Sequence, residues 1–359
     1  MAITFEASLN ANELCHALGV EIGSTDIDPQ KIPVIETLLG SSLGLVTLEA
    51  SSYTPRLVHY TLQEYLSNNT DLFHNPHSAI AKACLTYLNF QCIRDLSPNH
   101  SWSPQEAPFL KYASCYWETH ARGEIMEESM NTLALKLLDG FDNHISSGIL
   151  LSLRRDNWDS WVGRADPTRF TGLHCAAYLR IVELAVGLLK VRKWDHSTTE
   201  FEGNTAILWA SRKGHGAIVK VVLQQDGVTP SAADRGGRTL LLWAVKNGCE
   251  DVVKMLLERD DVNPNTADED DQTPLSWAVR MGYEGILSAL LAREDTTPNT
   301  PDKGGQTPLL LAAIMGHQGI VRALLGRGCV SLNAKDKHGR TPLSWAARSG
   351  YWSIVELIM

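Results

Sequence analysis

Apolar positions in the last half of the chain recur on a beat of 34 residues. Each beat opens on a threonine, at Thr171, Thr205, Thr239, Thr273, Thr307 and Thr341, which heads a short and mostly apolar phrase: TGLHCAA, TAILWAS, TLLLWAV, TPLSWAV, TPLLLAA and TPLSWAA. Nine residues later stand Gly214, Gly248, Gly282, Gly316 and Gly350. Glycine there accepts the left-handed conformation that ends a helix. Paired apolar residues follow at the spacing of one helical face, such as Ile218, Val219, Val222 and Leu223, or Ile320, Val321, Leu324 and Leu325. Five residues before each threonine is an acid (Asp166, Glu200, Asp234, Asp268, Asp302, Asp336), and two before it stand Gly203, Gly237, Gly305 or Gly339. Acid and glycine together suit a tight turn. Each unit predicts turn, helix, turn, helix.

A period near 33 headed by T-P-L-H-x-A resembles the ankyrin repeat. The resemblance implies a solenoid of about six repeats over residues 166–359 that binds a protein partner. The first copy carries Arg169 in place of the turn glycine and Arg180 in place of the helix-ending one, as an N-terminal capping repeat would. The last copy reaches Met359 with Ile354, Val355 and Ile358 just presented and no polar cap behind them. The expectation is a truncated array, or an open end through which the chain pairs or oligomerises.

In the first half, NANELCHALG places Asn10 and Glu13 as a capping box and Gly19 as a stop, predicting a short helix. Asp28-Pro29 starts a second, with Ile32, Ile35, Leu38 and Leu39 on its apolar face. LGLVTLEA and PRLVHY, bracketing SSYT, predict a β-hairpin, and TLQEYLSNN a further helix. Helices followed by a hairpin describe a winged helix over residues 1–70. Residues 71–165 predict a helical connector through AIAKACLTYLNF, FLKYASCYWETHA, SMNTLALKLLDGF and SGILLSLRRDNWDSWV, with Tyr112, Tyr116 and Trp117 at core spacing.

RLVHYTLQEYL and NPHSAIAKACLTYLNFQC resemble the winged-helix and helical region that follows the ATPase domain in fungal NACHT–ankyrin proteins, which are NLR-like receptors of the signal-transducing ATPase class. That resemblance covers about residues 9–125. It implies a place for His59 at the face that meets bound nucleotide in the resting state. No G-x-x-x-x-G-K-[ST] loop is present, so His59 is read as a relic of that contact or as a histidine satisfied at the hairpin's edge, and no cofactor is expected.

Composition narrows the classes. Net charge is -9, which gives no broad pull toward nucleic acid or anionic membrane. The apolar-rich segment KIPVIETLLGSSLG argues further against DNA readout. Seven scattered cysteines, none in C-x-x-C, point to reduced thiols in the cytoplasm or nucleus. Neither a signal peptide nor a membrane-length apolar run is read. G-x-S-x-G, H-E-x-x-H, dinucleotide and kinase motifs are all missing, so no enzyme is expected. His74 and His77 form H-x-x-H without a cysteine or acid at metal-ligand spacing.

Two sets of residues stand out as partner-binding candidates. Trp209, Trp243, Trp277 and Trp345 recur four residues after the threonine, with Cys175 and Leu311 in the same column. They read either as packing between helices or as a binding stripe. The turn tips alternate in charge: Arg235 and Arg238, then Glu269, Asp270 and Asp271, then Lys303, then Lys337, His338 and Arg340. They read as a surface matched to a partner's charges, or as a solvated edge. The sequence predicts a mainly α protein: winged helix with a small hairpin, helical connector and repeat solenoid. Its predicted role is non-enzymatic protein binding; the alternative is the C-terminal sensor part of a nucleotide-driven signalling ATPase.

Overall fold

The computed structural model describes residues 9–57, 76–96, 105–122, 127–153, 169–191 and 205–359. The chain forms two compact units, Met1–Cys175 and Ala176–Met359. Among the described residues it is mainly helical, with one two-stranded sheet.

In the first unit, helix α1 (Ala11–Leu18) begins at the expected capping box. Asn10 Oδ1 accepts from the Glu13 amide at 3.0 Å, and the Glu13 carboxylate accepts from the Asn10 amide at 2.8 Å. The helix expected from Pro29 does not run as one piece. Asp28 caps a single 3-10 turn, Pro29–Lys31, and Ile32 is then extended at ψ 110. Pro33 is the reason, because its ring excludes the helical conformation from the residue before it. Helix α2 starts only at Ile35 and runs to Ser41. Strand β1 (Val46–Glu49) pairs antiparallel with β2 (Thr54–Leu57), Val46 opposite Leu57. The helix expected at TLQEYLSNN, and His59, lie outside the described residues.

Of the four long helices that follow, Pro76–Leu88, Leu110–Arg122 and Glu128–Leu138 match segments read from periodicity, and Ile145–Leu153 matches the start of the fourth, whose remainder from residue 154 lies outside the described residues. They bury Leu85, Phe90, Phe109, Trp117, Met130 and Phe141. Tyr112 and Trp117 lie in this core and Tyr116 at its edge. His144 is buried with both ring nitrogens engaged: Nε2 donates to the Leu88 carbonyl at 2.8 Å and Nδ1 accepts from the Ser146 amide at 3.1 Å.

The second unit stacks helix pairs: Ala206–Arg212 with Gly216–Leu223, Leu240–Lys246 with Glu250–Leu257, Pro274–Met281 with Glu284–Ala292, Pro308–Met315 with Gln318–Leu325, and Pro342–Arg348 with Trp352–Ile358. The division between the units falls inside the first helix of the first repeat, Gly172–Leu179, which is followed by Val182–Val191. Thr205, Thr239, Thr273, Thr307 and Thr341 each cap a first helix, the hydroxyl accepting from the amide three residues on. This recurring bond is why the threonine keeps its register. Gly214, Gly248, Gly282, Gly316 and Gly350 end those helices at φ between 68 and 77, and Arg180 takes the same conformation at φ 61. At this helix end the first repeat thus departs in residue type and not in backbone. Second-helix apolar pairs such as Ile218/Val219 and Ile320/Val321 are buried as expected.

Candidate functional site

The turn tips are built on the aspartates. In Asp234, Asp268, Asp302 and Asp336, Oδ1 accepts from the backbone amides two and four residues on, at 2.8–3.0 Å. Each aspartate's own amide closes the turn onto the carbonyl four residues on, at 3.0 or 3.1 Å. Neighbouring tips are joined by Glu269 N to Gly236 O at 3.0 Å, Lys303 N to Asp270 O at 3.2 Å and Lys337 N to Gly304 O at 3.2 Å. Asp271 stands where the other tips have glycine and adopts the same left-handed backbone at φ 57.

The second carboxylate oxygen explains the tryptophan column. Trp243 Nε1 donates to Asp234 Oδ2 at 3.1 Å, Trp277 Nε1 to Asp268 Oδ2 at 3.1 Å and Trp345 Nε1 to Asp336 Oδ2 at 3.0 Å. Where Leu311 replaces tryptophan, Asp302 Oδ2 accepts from Gln272 Nε2 at 2.7 Å instead. At Asp336 desolvation pushes the carboxyl up, but the amides of Arg340 and His338, the Trp345 indole and the Arg340 guanidinium together hold it far below the usual carboxylate range. Trp209 and Trp243 are 1% and 6% exposed, and Trp277 and Trp345 are half-buried. The column is therefore packed, and Trp243, Trp277 and Trp345 are anchored at the indole edge, the last two being the more open to solvent.

Those faces carry cations that sequence reading did not single out. Arg212 lies 5.5 Å from the Trp209 ring and 5.4 Å from Trp243, and Lys246 lies 5.1 Å from Trp243 and 4.4 Å from Trp277. Arg280 lies 5.8 Å from Trp277 and Arg348 5.9 Å from Trp345. The signal was present: these cations stand three residues after each tryptophan, and the repeat with Leu311 has Ile314 at that place. One turn of helix brings i and i+3 together, so indole and cation come and go as a pair.

Of the tip residues, Arg238 and Arg340 belong to the frame as much as to the surface. Arg238 lies 5.2 Å from the Trp243 ring and pairs with Glu269 at 3.4 Å, joining a positive tip to the negative one beside it. Arg340 lies 4.0 Å from the Trp345 ring and 3.0 Å from Asp336. Arg235, Glu269, Asp270, Lys303, Lys337 and His338 are exposed. At the far end Ile354, Val355 and Ile358 are buried within the unit, leaving Trp352 66% and Met359 84% exposed.

His77 Nδ1 meets His120 Nδ1 at 2.8 Å, and His74 lies outside the described residues. Among the described residues no group of three or more His, Cys, Asp or Glu is placed to hold a metal, and no helix is long and apolar enough to cross a membrane. All seven cysteines are free.

Comparison with known proteins gives a family. Ankyrin repeats match in three copies, at residues 173–268, 230–302 and 275–359. No curated protein matches the chain. Among solved structures, an ankyrin repeat domain from Acinetobacter baumannii AYE is 27% identical, with a TM-score of 0.48 over 52% of this chain and 95% of that one. The ankyrin repeat protein EF0377 is 22% identical, with a TM-score of 0.49 over 52% of this chain and 95% of its own. With turn, capped helix, left-handed stop and second helix repeating among the described residues and the family matched over residues 173–359, more than half of its length, the chain belongs to the ankyrin-repeat proteins.

Proposed function

We infer that the array is a non-enzymatic module that binds a protein partner through its turn tips and the first-helix face beside them. Ankyrin repeats are generally protein–protein interaction modules, and one observation carries the reading to this surface. Over a hydrogen-bonded frame that hardly varies, the exposed tip residues change charge from repeat to repeat: Arg235, then Glu269 and Asp270, then Lys303, then Lys337 and His338. Constancy below and variation above is what recognition of one partner requires, since charge pattern sets specificity and register more than raw affinity. The partner is to be found by proximity labelling with the full chain. Its affinity for the chain is then measured after reversing Arg235, Glu269 and Asp270. A loss of about tenfold or more is expected; unchanged affinity removes the tips from the site.

The second reading makes the chain the sensor part of a NACHT-type signalling ATPase, with residues 1–70 as its winged helix and His59 as a relic of nucleotide contact. It is favoured by RLVHYTLQEYL and by the order helix, helix, hairpin that precedes it. A transcript joining a phosphate-binding loop in frame ahead of Met1 supports this reading, and a promoter with an in-frame stop there opposes it. Free thiols throughout suit a reducing compartment, the cytoplasm or nucleus. Neither nucleic acid nor membrane belongs to the proposed partners.

A further inference from the structure

The turns that join the first and second helix of each repeat run side by side. Tyr283 lies against Gly248, His317 against Gly282 and Tyr351 against Gly316, so each ring rests on the turn of the repeat before it. A methyl group on Gly316 would stand 2.6 Å from the Tyr351 ring, and only glycine admits that approach. These turns therefore form one continuous strip.

Two methionines stand on the strip, 34 residues apart. Met281 and Met315 are 40% and 42% exposed, and the exposed Tyr351 and Trp352 carry the apolar surface into the last repeat. Nothing in the frame of the repeat calls for methionine here. A first helix ends at this point, and its last carbonyls take donors from outside. Asn247, in the same column, supplies one: its side-chain amide donates to the carbonyls of Ser211, Arg212 and Trp243 at 2.9, 3.3 and 3.0 Å. Lys213 and Ser349 are polar at this place too. Met281 and Met315 offer the carbonyls no donor and hold flexible, polarisable side chains toward solvent instead. Trp352 is equally out of character, in a column otherwise filled by Gly216, Glu250, Glu284 and Gln318.

Apolar side chains one repeat apart measure out the shape of a ligand. Helices packed in a stack are spaced by about 8–10 Å. A helix lying across the stack presents the same face again after about 10.5 Å, seven residues on. An extended chain does not keep that beat, because three residues cover about 10 Å but turn the side chain to the opposite face. Charge adds a direction. Glu250 and Glu284, both exposed and also 34 apart, edge the strip on the second-helix side. Glu250 pairs with Lys254 at 2.7 Å, and Glu284 pairs with no cation among the described residues. On the other edge Arg280 is turned over the Trp277 ring.

We propose that the strip through Met281, Met315, Tyr351 and Trp352 is a second docking surface, which takes an amphipathic helix of a protein partner. That helix carries apolar residues at i, i+7 and i+14 and a basic residue beside Glu284. Its seat shares no residue with the turn tips, so binding here is independent of binding there. An anionic membrane is disfavoured, because Glu250 and Glu284 flank the apolar side chains and the whole chain carries -9.

The test titrates the full chain, labelled at its methionine methyl groups with carbon-13, with a synthetic helical peptide of about 21 residues. The peptide has leucine at heptad positions a and d and lysine at e and g, where like charges keep it from pairing with itself. A scrambled peptide of the same composition and one with glutamate for lysine are controls, and vesicles of phosphatidylcholine and phosphatidylserine are the competing surface. The Met281 and Met315 methyl signals are expected to shift and that of the buried Met130 to stay. Affinity is expected to fall at least about tenfold in Met315→Glu and about threefold in Met281→Gln and Glu284→Gln, and to be unchanged in Arg235→Glu at the turn tips. Circular dichroism checks that each variant is folded. Equal binding of either control peptide, stronger attachment to the vesicles, or methionine signals that no peptide moves overturns the proposal. So does a monomer–dimer equilibrium that Met315→Glu abolishes, which gives the strip to a second copy of the chain, or a loss of peptide binding in Arg235→Glu, which gives the helix to the tips.

Discussion

Asp268 closes a turn and anchors a tryptophan with one carboxylate. Its Oδ1 takes the amides of Asp270 and Gln272, and its Oδ2 takes the Trp277 indole, in a residue only 6% exposed. Asp268→Asn keeps the first oxygen but turns an amide donor toward the indole N–H, leaving a buried donor unmatched. That change is expected to lower stability by about 1–3 kcal/mol in urea denaturation. Trp277→Phe is expected to cost less in that background than in wild type, because the bond it removes is already gone. Equal cost in both backgrounds means the bond contributes nothing. The acid and tryptophan columns were both legible in the sequence, nine residues apart. Their bond was not, because spacing along a chain says nothing of which oxygen meets which proton.

Between elements, a column of arginines holds successive repeats together. Arg293 donates to the carbonyls of Leu257, Arg259 and Val262 at 2.8, 3.1 and 3.4 Å and pairs with Asp295 at 2.7 Å. Arg327 repeats the arrangement on Leu291 and on Arg293, whose carbonyl it meets at 2.8 Å. The last carbonyls of a helix have no partner within it, so a guanidinium from the next repeat supplies one. A lysine gathers its three donors on one nitrogen and does not span the acceptors that the Arg293 guanidinium reaches with three nitrogens. Arg293→Lys is therefore expected to lower the urea midpoint, by about 1–3 kcal/mol in stability, and to speed hydrogen exchange at the end of the Glu250–Leu257 helix. Unaltered exchange there means that the bridge is idle. Within single elements the sequence was most reliable where a local rule acted alone, as at the Asn10 capping box. It misled at Pro29, where a good helix start was read without the block imposed by Pro33.

At the scale of the whole molecule, the first unit carries a pH dependence seated on two buried histidines. Burial holds His144 down to about 4, with Arg94 acting in the same direction. A second proton would also have to sit on Nδ1, opposite the Ser146 amide that Nδ1 now accepts from. Burial and then the neighbouring His77 hold His120 down to about 4 as well. Because both are depressed in the fold, the unfolded chain takes up protons first as pH falls. Stability is full above about pH 6.5 and is lost progressively toward about pH 4, by roughly 3 kcal/mol for His144. Thermal melts of the full chain across that range are expected to show a falling midpoint, with a shallower slope in His144→Gln, which can still donate to Leu88 but does not titrate. An identical slope in that variant assigns the dependence elsewhere.

The sequence by itself determined the repeat: its period, the threonine caps, the glycine stops and the apolar pairs are local demands of backbone and helix face, and each recurs because each unit must stack on a copy of itself. It also separated the constant frame from the variable tips. Only the tertiary structure decided what the tryptophans do, since their exposure and indole partners depend on how a first helix meets the turn before it. Only the tertiary structure, too, set Arg212 and Lys246 between successive rings, because residues 31 apart become neighbours when repeats stack and not before.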